Sequence, residues 1–326
     1  MKHTARWITG LLVAATIALV VCSCAASDAG ALDYDATIEP SDALSGRTVV
    51  IDPGHGNSES YIENFSEGLN NLVYALELRE KLEAQGAKVI MTRETEANVE
   101  NYQRMAKLHI YTLGLIKDEL SKQLLCDISE SERQSIGFDI NELTKLQGDM
   151  ELVLDDADNA KLFFNSPYDT TYSTQIKSVL REIFEYEEHQ LVRQNMLYIS
   201  IHSNASGTFE DTETNGTITY FLSNSCKYIR NYYTNYKNGD LSERIAELTV
   251  DRVSAAGSFK NRGTAQNDYF MLREHNLPAV LIEIAYHSNP SDREKLVDPY
   301  YRKRITNAIT LSVLSYFEKL ELYESK

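Results

Sequence analysis

Two histidines and a glutamate each lie near the end of an apolar segment of the chain. His55 follows three β-branched residues and a short turn, and His202 and Glu283 each come directly after a further apolar run. Two histidines with one carboxylate suit a catalytic zinc site that keeps one position for water. A further glutamate would then transfer protons. Taken alone, His55 is interpreted as a turn histidine bonded to backbone, and the recurrence of the pattern favours a zinc site.

The elements that would position these side chains follow the pattern of an α/β fold. Val49–Ile51 predicts a buried strand, and Asp52–Gly54 ends it because proline lacks a donor and glycine allows unusual backbone angles. A helix over Glu67–Gln85, with Ser66 as its N-cap, and a strand over Lys88–Thr92 complete a right-handed β-α-β unit. We therefore expect a twisted, mostly parallel or mixed central sheet flanked by helices, with its chemistry at the carboxyl ends of the strands.

The carboxylate of the zinc site has three candidates in the chain. Glu67 lies in the first turn of the predicted helix, where the helix dipole favours a negative charge for structural reasons alone. Glu59 and Glu63 lie in the preceding loop and are rival ligands. The residue pattern by itself leaves the choice open.

Several short motifs stand in an order that resembles a known family. They are Asp52–Gly56, Glu67 with Asn71-Leu72, Thr92-Arg93, Ser200–Asn204, and Pro278–Glu283 with Ser288–Pro290. The order is similar to that of the zinc-dependent N-acetylmuramoyl-L-alanine amidases with a type 3 domain. These enzymes cut peptidoglycan between the lactyl group of the glycan and the first peptide residue. The resemblance covers residues 47–104 and 196–318.

The resemblance implies a mechanism with one zinc ion and assigns its residues. His55, Glu67 and His202 would hold the zinc, and Glu67 is chosen because it stands four residues before the Asn-Leu pair. Glu283 would take a proton from water and return it to the leaving amine. The reaction would hydrolyse the amide between N-acetylmuramic acid and L-alanine of the stem peptide.

Further residues close to the motifs bear on the substrate and on the fold. Arg273 could bind a peptide carboxylate through a two-pronged contact, and a structural salt bridge is the alternative. Asn204 is a second candidate for substrate binding. Thr92-Arg93 is expected to support the fold near the site without a catalytic role. Tyr286-His287 replaces the Phe-Leu that is usual in the family, which puts a polar ring near the site with no family role.

Composition and the N-terminus indicate an exported globular protein. The chain has 326 residues, of which 43% are hydrophobic, and its net charge of −16 argues against nucleic-acid binding. Lys2 and Arg6 precede the apolar stretch Ile8–Val21, which is typical of a signal sequence. Val21–Cys24 resembles a bacterial lipobox with Cys24 as the lipidated residue, and an ordinary signal peptide or an uncleaved anchor is the alternative. The protein would be lipid-anchored to the outer face of the bacterial membrane, or otherwise secreted.

The rest of the chain is predicted to contain a tether and one catalytic domain. Residues 25–46, after the leader over residues 1–24, are small, polar and acidic and are typical of a tether. The amidase domain would span residues 47–320. A long, acidic, helical insertion over residues 105–192 would interrupt it.

The predicted insertion is the basis of a hypothesis about how the protein is regulated. Asp139 with Glu142 resembles a capping box, and the pattern of Tyr172–Met196 predicts one helix. By analogy with helical insertions in some relatives, we hypothesise that the insertion gates substrate access and that an activator protein acts on it. An acidic side chain of the run Glu182–Glu188 could block the zinc site, with a solvated helix face as the alternative. A dimer interface or a wall of the substrate groove is the alternative for the whole insertion.

Two rival functions remain open at this point. A catalytically silent, lipid-tethered envelope protein could use the same fold to bind peptidoglycan or a partner. A zinc hydrolase could instead act on another amide, such as a peptide cross-link. The complete set of His55, Glu67, His202 and Glu283 argues against the silent protein.

Overall fold

A six-stranded mixed sheet forms the centre of the computed structural model, which describes residues 32–56, 65–164, 178–207, 212–223, 225–226 and 238–324. Its strands are β1 (Thr48–Pro53), β2 (Lys88–Met91), β3 (Met196–Asn204), β4 (Thr217–Phe221), β5 (Asn261–Gln266) and β6 (Ala279–Tyr286). They lie in the order β2-β1-β3-β6-β4-β5. The first four strands of this order are parallel to one another, and β4 pairs antiparallel with β6 and parallel with β5. The predicted α/β fold with a mixed sheet is confirmed.

Helices cover both faces of this sheet. They are α1 (Glu67–Glu83), α2 (Asn101–Gln123), α3 (Glu130–Asp155), α4 (Ala160–Phe163), α5 (Ser178–Glu187), α6 (Gln190–Asn195), α7 (Gly239–Gly257), α8 (Phe270–Arg273), α9 (Pro290–Val297) and α10 (Pro299–Glu324). Side chains alternate between the faces of a strand. Val49 and Ile51 therefore pack with α1, α7 and α10, whereas Val50 packs with α2, α3 and α5. Burial on both sides explains the nearly continuous apolar runs of the parallel strands.

The first helix begins and ends where its sequence signals stand. Ser66 Oγ accepts a hydrogen bond from the backbone N–H of Leu69 at 3.3 Å, which confirms the predicted N-cap. The helix ends at Glu83, and Gly86 then takes a left-handed conformation with φ of 85°. The chain returns from there to β2, and the β-α-β unit brings the start of α1 to the carboxyl end of β1.

The predicted helix boundaries within residues 105–192 are corrected by the structure. The capping box of α3 consists of Ser129 and Glu132, so this helix begins nine residues before Asp139. The predicted helix over Tyr172–Met196 is two helices in its described part, because α5 ends at Glu187 and His189 caps α6. Residues 165–177 lie outside the described part of the chain.

Most of this segment belongs to the core of the domain. Helices α2 and α3 pack together as a hairpin, and their apolar sides share one core cluster with Tyr198 and Leu281 of the sheet. His109 and Glu187 form a fully buried ion pair between α2 and α5, with 2.9 Å between Nδ1 and Oε1. The segment was predicted to be an acidic, helical insertion, and the structure shows that the apolar faces of these helices cover one side of the sheet.

The predicted tether over residues 25–46 is wrong for its second half. Residues 34–326 form one compact unit. Leu44 is buried, and its N–H donates to Gln85 O at 2.8 Å, while Asn307 Nδ2 donates to Tyr34 O at 2.9 Å. Small polar composition is typical of a linker, but these two apolar residues anchor the stretch to α1 and α10.

The leader lies outside the described residues. The structure does not describe residues 1–31, which include the signal sequence and Cys24. Within the described ranges, no helix has both the length and the apolar character that a bilayer crossing requires.

Candidate metal centre and active site

Three side chains from three separate elements meet at the carboxyl ends of the parallel strands. His55 lies in the turn after β1, Glu67 is the first residue of α1, and His202 lies near the end of β3. Glu67 Oε1 is 3.2 Å from His55 Nε2 and 3.4 Å from His202 Nδ1. The potential ligand atoms of the three residues all lie within 4.8 Å of one another. The structure therefore brings together the three residues that the sequence assigned to a metal.

The turn after β1 contains a residue in an unusual backbone conformation. His55 has a φ of 62°, in the left-handed region that L-residues seldom adopt. Such strain is found mainly at functional sites, where the surroundings hold it. Gly54 faces the ring of His202, which a β-carbon at this position would overlap. Glycine is therefore required here for the close approach of the two histidine-bearing segments.

Arg93 ties the His55 turn to the start of α1. Its guanidinium is buried and donates to Pro53 O at 2.9 Å, to Gly54 O at 3.0 Å and to Gly68 O at 2.6 Å. These carbonyls flank His55 on one segment and Glu67 on the other. The predicted role of Arg93 in supporting the fold near the site is confirmed.

Replacing Arg93 with alanine should lower the free energy of unfolding by about 3 kcal/mol. The variant leaves carbonyl groups of Pro53, Gly54 and Gly68 without their charged donor in a buried place. Urea unfolding followed by circular dichroism measures the change. Arg79→Ala is the matched control, because its pair with Glu94 at 3.0 Å is solvent-accessible and contributes about 0–1 kcal/mol. Equal losses in the two variants would contradict the bridging role.

A buried carboxylate lies beneath the site and was not assigned by the sequence. Asp52 Oδ1 accepts hydrogen bonds from Thr92 Oγ1 and Arg104 Nη1, both at 2.6 Å, and Oδ2 accepts one from Ser200 Oγ at 2.7 Å. Burial alone would raise the pKa of Asp52, but Arg104 and the two hydroxyl donors hold it below its ordinary value. The ionised carboxylate of β1 thus contacts β3, α2 and the residue that follows β2. Its place in the shared motif was the signal that could have found it.

Glu67 is ionised and takes its contacts from both sides of the site. Its Oε1 accepts from the N–H of Ser203 at 3.2 Å and from Asn71 Nδ2 at 3.4 Å. Burial would raise the pKa of Glu67, but hydrogen bonds from His202 and His55 outweigh it and hold the pKa well below its ordinary value. Two imidazoles and a carboxylate are a donor set that catalytic zinc uses. The chemistry of the three side chains therefore fits a zinc ion.

The position of Glu67 supports its assignment as the carboxylate ligand in preference to Glu59 and Glu63. Glu67 contacts both histidines, whereas Glu59 and Glu63 lie outside the described residues. The helix-dipole explanation does not account for two histidine contacts on one carboxylate oxygen. His55 has a side chain that is 46% exposed, so solvent can reach it.

Glu283 lies beside His202 on the neighbouring strand. β3 and β6 are parallel, and these two residues are partners in their register. Glu283 Oε2 is buried and has no hydrogen-bond partner among the described residues. Burial, together with the charge of Glu67, raises the pKa of Glu283 well above its ordinary value. A carboxyl group in these surroundings holds a proton more readily than an ordinary glutamate.

The two predicted substrate-binding residues have different surroundings. Arg273 Nε donates to Glu274 Oε1 at 2.8 Å, and the Arg273 side chain is only 3% exposed. This is the structural salt bridge that was the alternative, so Arg273 is not included in the site. Asn204 is partly buried at the end of β3, where its carbonyl accepts from the N–H of His287 at 2.8 Å. Its role in substrate binding stays a prediction.

Two tyrosines near Glu283 were not assigned from the sequence. The rings of Tyr220 on β4 and Tyr269 before α8 meet edge to face, with 5.1 Å between their centroids. Burial, and to a smaller extent the charge of Glu283, raises the pKa of Tyr269, so its hydroxyl stays protonated. Tyr220 lies two residues after Ile218, which is opposite Glu283 in the β4–β6 register. The alternation along β4 was the signal that places Tyr220 on the face of the site.

Comparisons with known proteins agree with the motifs. The family model described as N-acetylmuramoyl-L-alanine amidase matches residues 49–112 and 143–315. Probable cell wall amidase LytH of Staphylococcus aureus is 30% identical over 120 residues, and that of Staphylococcus epidermidis is 28% identical over 120 residues. Each alignment covers 37% of this chain and 35% of the relative, so the chain matches about a third of the length of these relatives.

Two solved structures are similar to the chain over most of its length. The N-acetylmuramoyl-L-alanine amidase from Clostridium difficile 630 has 20% identity and a TM-score of 0.47, covering 83% of this chain and 97% of that one. The catalytic domain of CwlV from Bacillus (Paenibacillus) polymyxa var. colistinus has 19% identity and a TM-score of 0.47, covering 83% and 98%.

The family model matches part of the predicted insertion and all four residues of the candidate site. It leaves residues 113–142 unmatched, which is less than the predicted insertion over residues 105–192. The unmatched part is the end of α2, the connecting loop and the start of α3. The matched ranges cover well over half of the chain and contain both histidines and both glutamates of the site. The chain therefore belongs to the N-acetylmuramoyl-L-alanine amidase family.

Proposed function

We propose that this protein is a zinc-dependent amidase that hydrolyses the bond between N-acetylmuramic acid and L-alanine in peptidoglycan. The observation that carries the proposal is the convergence of His55, Glu67 and His202 beside the partly buried Glu283. Family membership supports the substrate class. The 46% exposure of the His55 side chain supports access of a polymeric substrate to this group.

The proposed mechanism divides the work between two groups of residues. His55, Glu67 and His202 would hold the ion and keep its ligand geometry. When bound, zinc supplies Lewis acidity that polarises the amide carbonyl and activates water. Glu283 accepts the proton of the attacking water and delivers it to the leaving nitrogen, because an amine is expelled readily only after protonation. The raised pKa of Glu283 suits this second step, since the carboxyl group retains the proton until the amine takes it.

The reaction can be tested with the full chain and purified peptidoglycan. We expect about one zinc per chain by elemental analysis, and products in which the glycan has separated from a stem peptide with a free L-alanine amino terminus. Mass spectrometry of the digest identifies both. Cleavage within the peptide cross-links would replace this function by that of another zinc hydrolase. Peptidoglycan binding without products would support the silent envelope protein.

We also propose an extracytoplasmic location with an anchor at Cys24. The proposal is supported by the leader pattern of residues 1–24 and by the description of the relatives as cell wall amidases. Metabolic labelling with a fatty acid, compared between the wild type and Cys24→Ser, tests the lipid. Unchanged labelling in the variant would reject Cys24 as the acceptor.

Two glutamates of the acidic run Glu182–Glu188 do not supply a carboxylate that could block the zinc site. Glu187 Oε1 bonds to His109, and its Oε2 accepts from the N–H of Asn276 at 2.8 Å. Glu182 lies near Lys145 on α3. The hypothesis that this run reaches the zinc site is therefore wrong for Glu182 and Glu187, because both side chains face other helices or the core.

We propose that regulation, and contact with an activator protein, belong to the hairpin tip, which we define as residues 122–139. This tip lies within the part that the family model leaves unmatched. It exposes two large apolar side chains, with Leu125 at 87% and Phe138 at 67% exposure. A partner protein could cover these two side chains, which both belong to the segment that the family model leaves unmatched.

Replacing the hairpin tip by a short Gly/Ser linker tests this proposal. Residues 121 and 140 lie between two contacts that join the arms of the hairpin, since Arg133 Nη1 donates to Leu124 O at 2.9 Å on the tip side and Gln147 Nε2 donates to Ile110 O at 2.9 Å on the other side. The shortened protein should fold and retain zinc, and if the tip gates the site it should hydrolyse soluble peptidoglycan fragments several-fold faster. Folded, zinc-loaded protein with lower activity would mean that the tip helps to bind substrate.

The deletion should be limited to the hairpin tip, because a larger one would remove core residues. Removing residues 110–188 would take away Leu146, Met150 and Ile183, which are fully buried against the sheet. Each such loss costs about 2–5 kcal/mol, which together exceeds the stability of an ordinary domain. We expect that larger deletion to be unfolded by circular dichroism, and the double variant Leu125→Ser with Phe138→Ser is the gentler control for the tip.

A further inference from the structure

The imidazole of His287 lies between two segments that carry the proposed metal ligands. Its ring stacks on Phe65, with 5.0 Å between centroids and 23° between planes. Its Nδ1 lies 3.0 Å from Ser203 Oγ, at hydrogen-bonding distance. Phe65 stands two residues before Glu67, and Ser203 directly follows His202. One side chain thus contacts the neighbours of two ligands that are far apart in the sequence.

The backbone of His287 is held in place from both sides. Its N–H donates to Asn204 O at 2.8 Å, and its carbonyl accepts from Arg293 Nη1 at 2.6 Å. The residue is buried. A ring on a fixed backbone, packed in a buried place, has little freedom to adapt, so it can fix the positions of the groups it touches.

Ser203 also contacts Glu67 directly, through its backbone N–H. The Ser203 N–H donates to Glu67 Oε1, the carboxylate oxygen that also lies nearest to both histidines. A displacement of Ser203 would therefore move His202, its neighbour, and remove a hydrogen bond from Glu67. Hydrogen bonds of this kind orient metal ligands and raise metal affinity.

We propose that His287 is a positioning residue that keeps Glu67 and His202 in the geometry that a metal ion requires. The inference rests on the proposed function, since it needs a metal in the site. The stacked ring positions the start of α1, and the hydrogen bond at Nδ1 positions the end of β3. Burial lowers the pKa of His287, so the ring is neutral near pH 7 and adds no positive charge beside a cation.

Two substitutions at position 287 separate the two contacts. His287→Phe preserves an aromatic ring against Phe65 and removes the nitrogen that faces Ser203. His287→Asn places a polar atom close to the position of Nδ1 and removes the stacked ring. Zinc affinity of the full chain, measured by competition with a chromogenic chelator, should fall about 10–100-fold in His287→Phe. In His287→Asn it should stay closer to that of the wild type.

The visible spectrum of the cobalt-substituted protein reports ligand geometry independently of activity. We expect the d–d bands of His287→Phe to shift relative to the wild type. His275→Phe is the matched control, because it replaces another buried histidine whose ring packs against an aromatic ring, that of Tyr198, away from the three ligands. This control should lower the melting temperature without changing zinc affinity or the cobalt spectrum.

The outcomes distinguish this inference from the proposed function. Wild-type zinc affinity and an unchanged cobalt spectrum in His287→Phe would overturn the positioning role alone. If His287→Phe does not fold, Ser203→Ala decides, because it removes the same hydrogen bond from the other side and should weaken zinc in the same direction. A wild-type chain that binds no zinc would overturn the proposed function and this inference together.

Discussion

Replacing Glu283 with glutamine should lower kcat by about 10²–10⁴-fold while the protein keeps its fold and its zinc. Glutamine has nearly the size of glutamate but cannot accept the proton of water or return one to the leaving amine. Glu283 is not among the three ligand residues, and its Oε2 has no hydrogen-bond partner in the described part of the chain to lose. Release of stem peptide from soluble fragments at saturating substrate measures kcat, and elemental analysis measures zinc.

The control for this variant is another buried glutamate. Glu187→Gln changes a fully buried carboxylate that pairs with His109 on the side of α2 and α5. It should lower the melting temperature and leave kcat close to that of the wild type. Wild-type turnover in a zinc-loaded Glu283→Gln protein would remove Glu283 from proton transfer, and equal losses of kcat in both variants would point to a general effect on stability.

Replacing either histidine of the candidate metal centre should abolish metal binding and activity together. His55 and His202 each supply one nitrogen near the same oxygen of Glu67, so either alanine variant leaves two of the three ligands. We expect zinc affinity to fall by more than about 100-fold, beyond the effect of losing a supporting hydrogen bond. Elemental analysis after dialysis, with activity measured before and after zinc is added back, provides the test.

Two further variants identify which glutamate is the carboxylate ligand. Glu67→Ala should also lose zinc, and a loss in Glu63→Ala instead would show that the loop glutamate is the ligand. His189→Ala is the control, because this histidine caps α6 and lies away from the ligand residues. Full zinc occupancy in both His55→Ala and His202→Ala would reject this metal centre.

Local patterns were enough to predict β1, α1 and the strands that carry His202 and Glu283, although β6 continues beyond Glu283 to Tyr286. Runs of β-branched residues, an N-capping serine and a strand-ending Pro-Gly act within a few residues of one another, so the sequence alone contains their effect. The position of chemistry at the carboxyl ends of parallel strands follows from the fold class. His55, His202 and Glu283 could therefore be named from local patterns, whereas Glu67 was chosen among three glutamates through the family resemblance.

Contacts between residues distant in the chain decided what the patterns left open. Asp52 joins Arg104 and Ser200, and His287 joins Phe65 and Ser203, across separations that no local periodicity records. Residues 34–46 were predicted to be a tether, because composition reports polarity but not which apolar side chains find a surface to cover. Residues 105–192 were predicted to be an insertion from the family resemblance, and the family model leaves only residues 113–142 of this segment unmatched. A short polar stretch becomes part of the core when its few apolar residues are buried by neighbours from elsewhere in the chain, and those neighbours are chosen only as the chain folds.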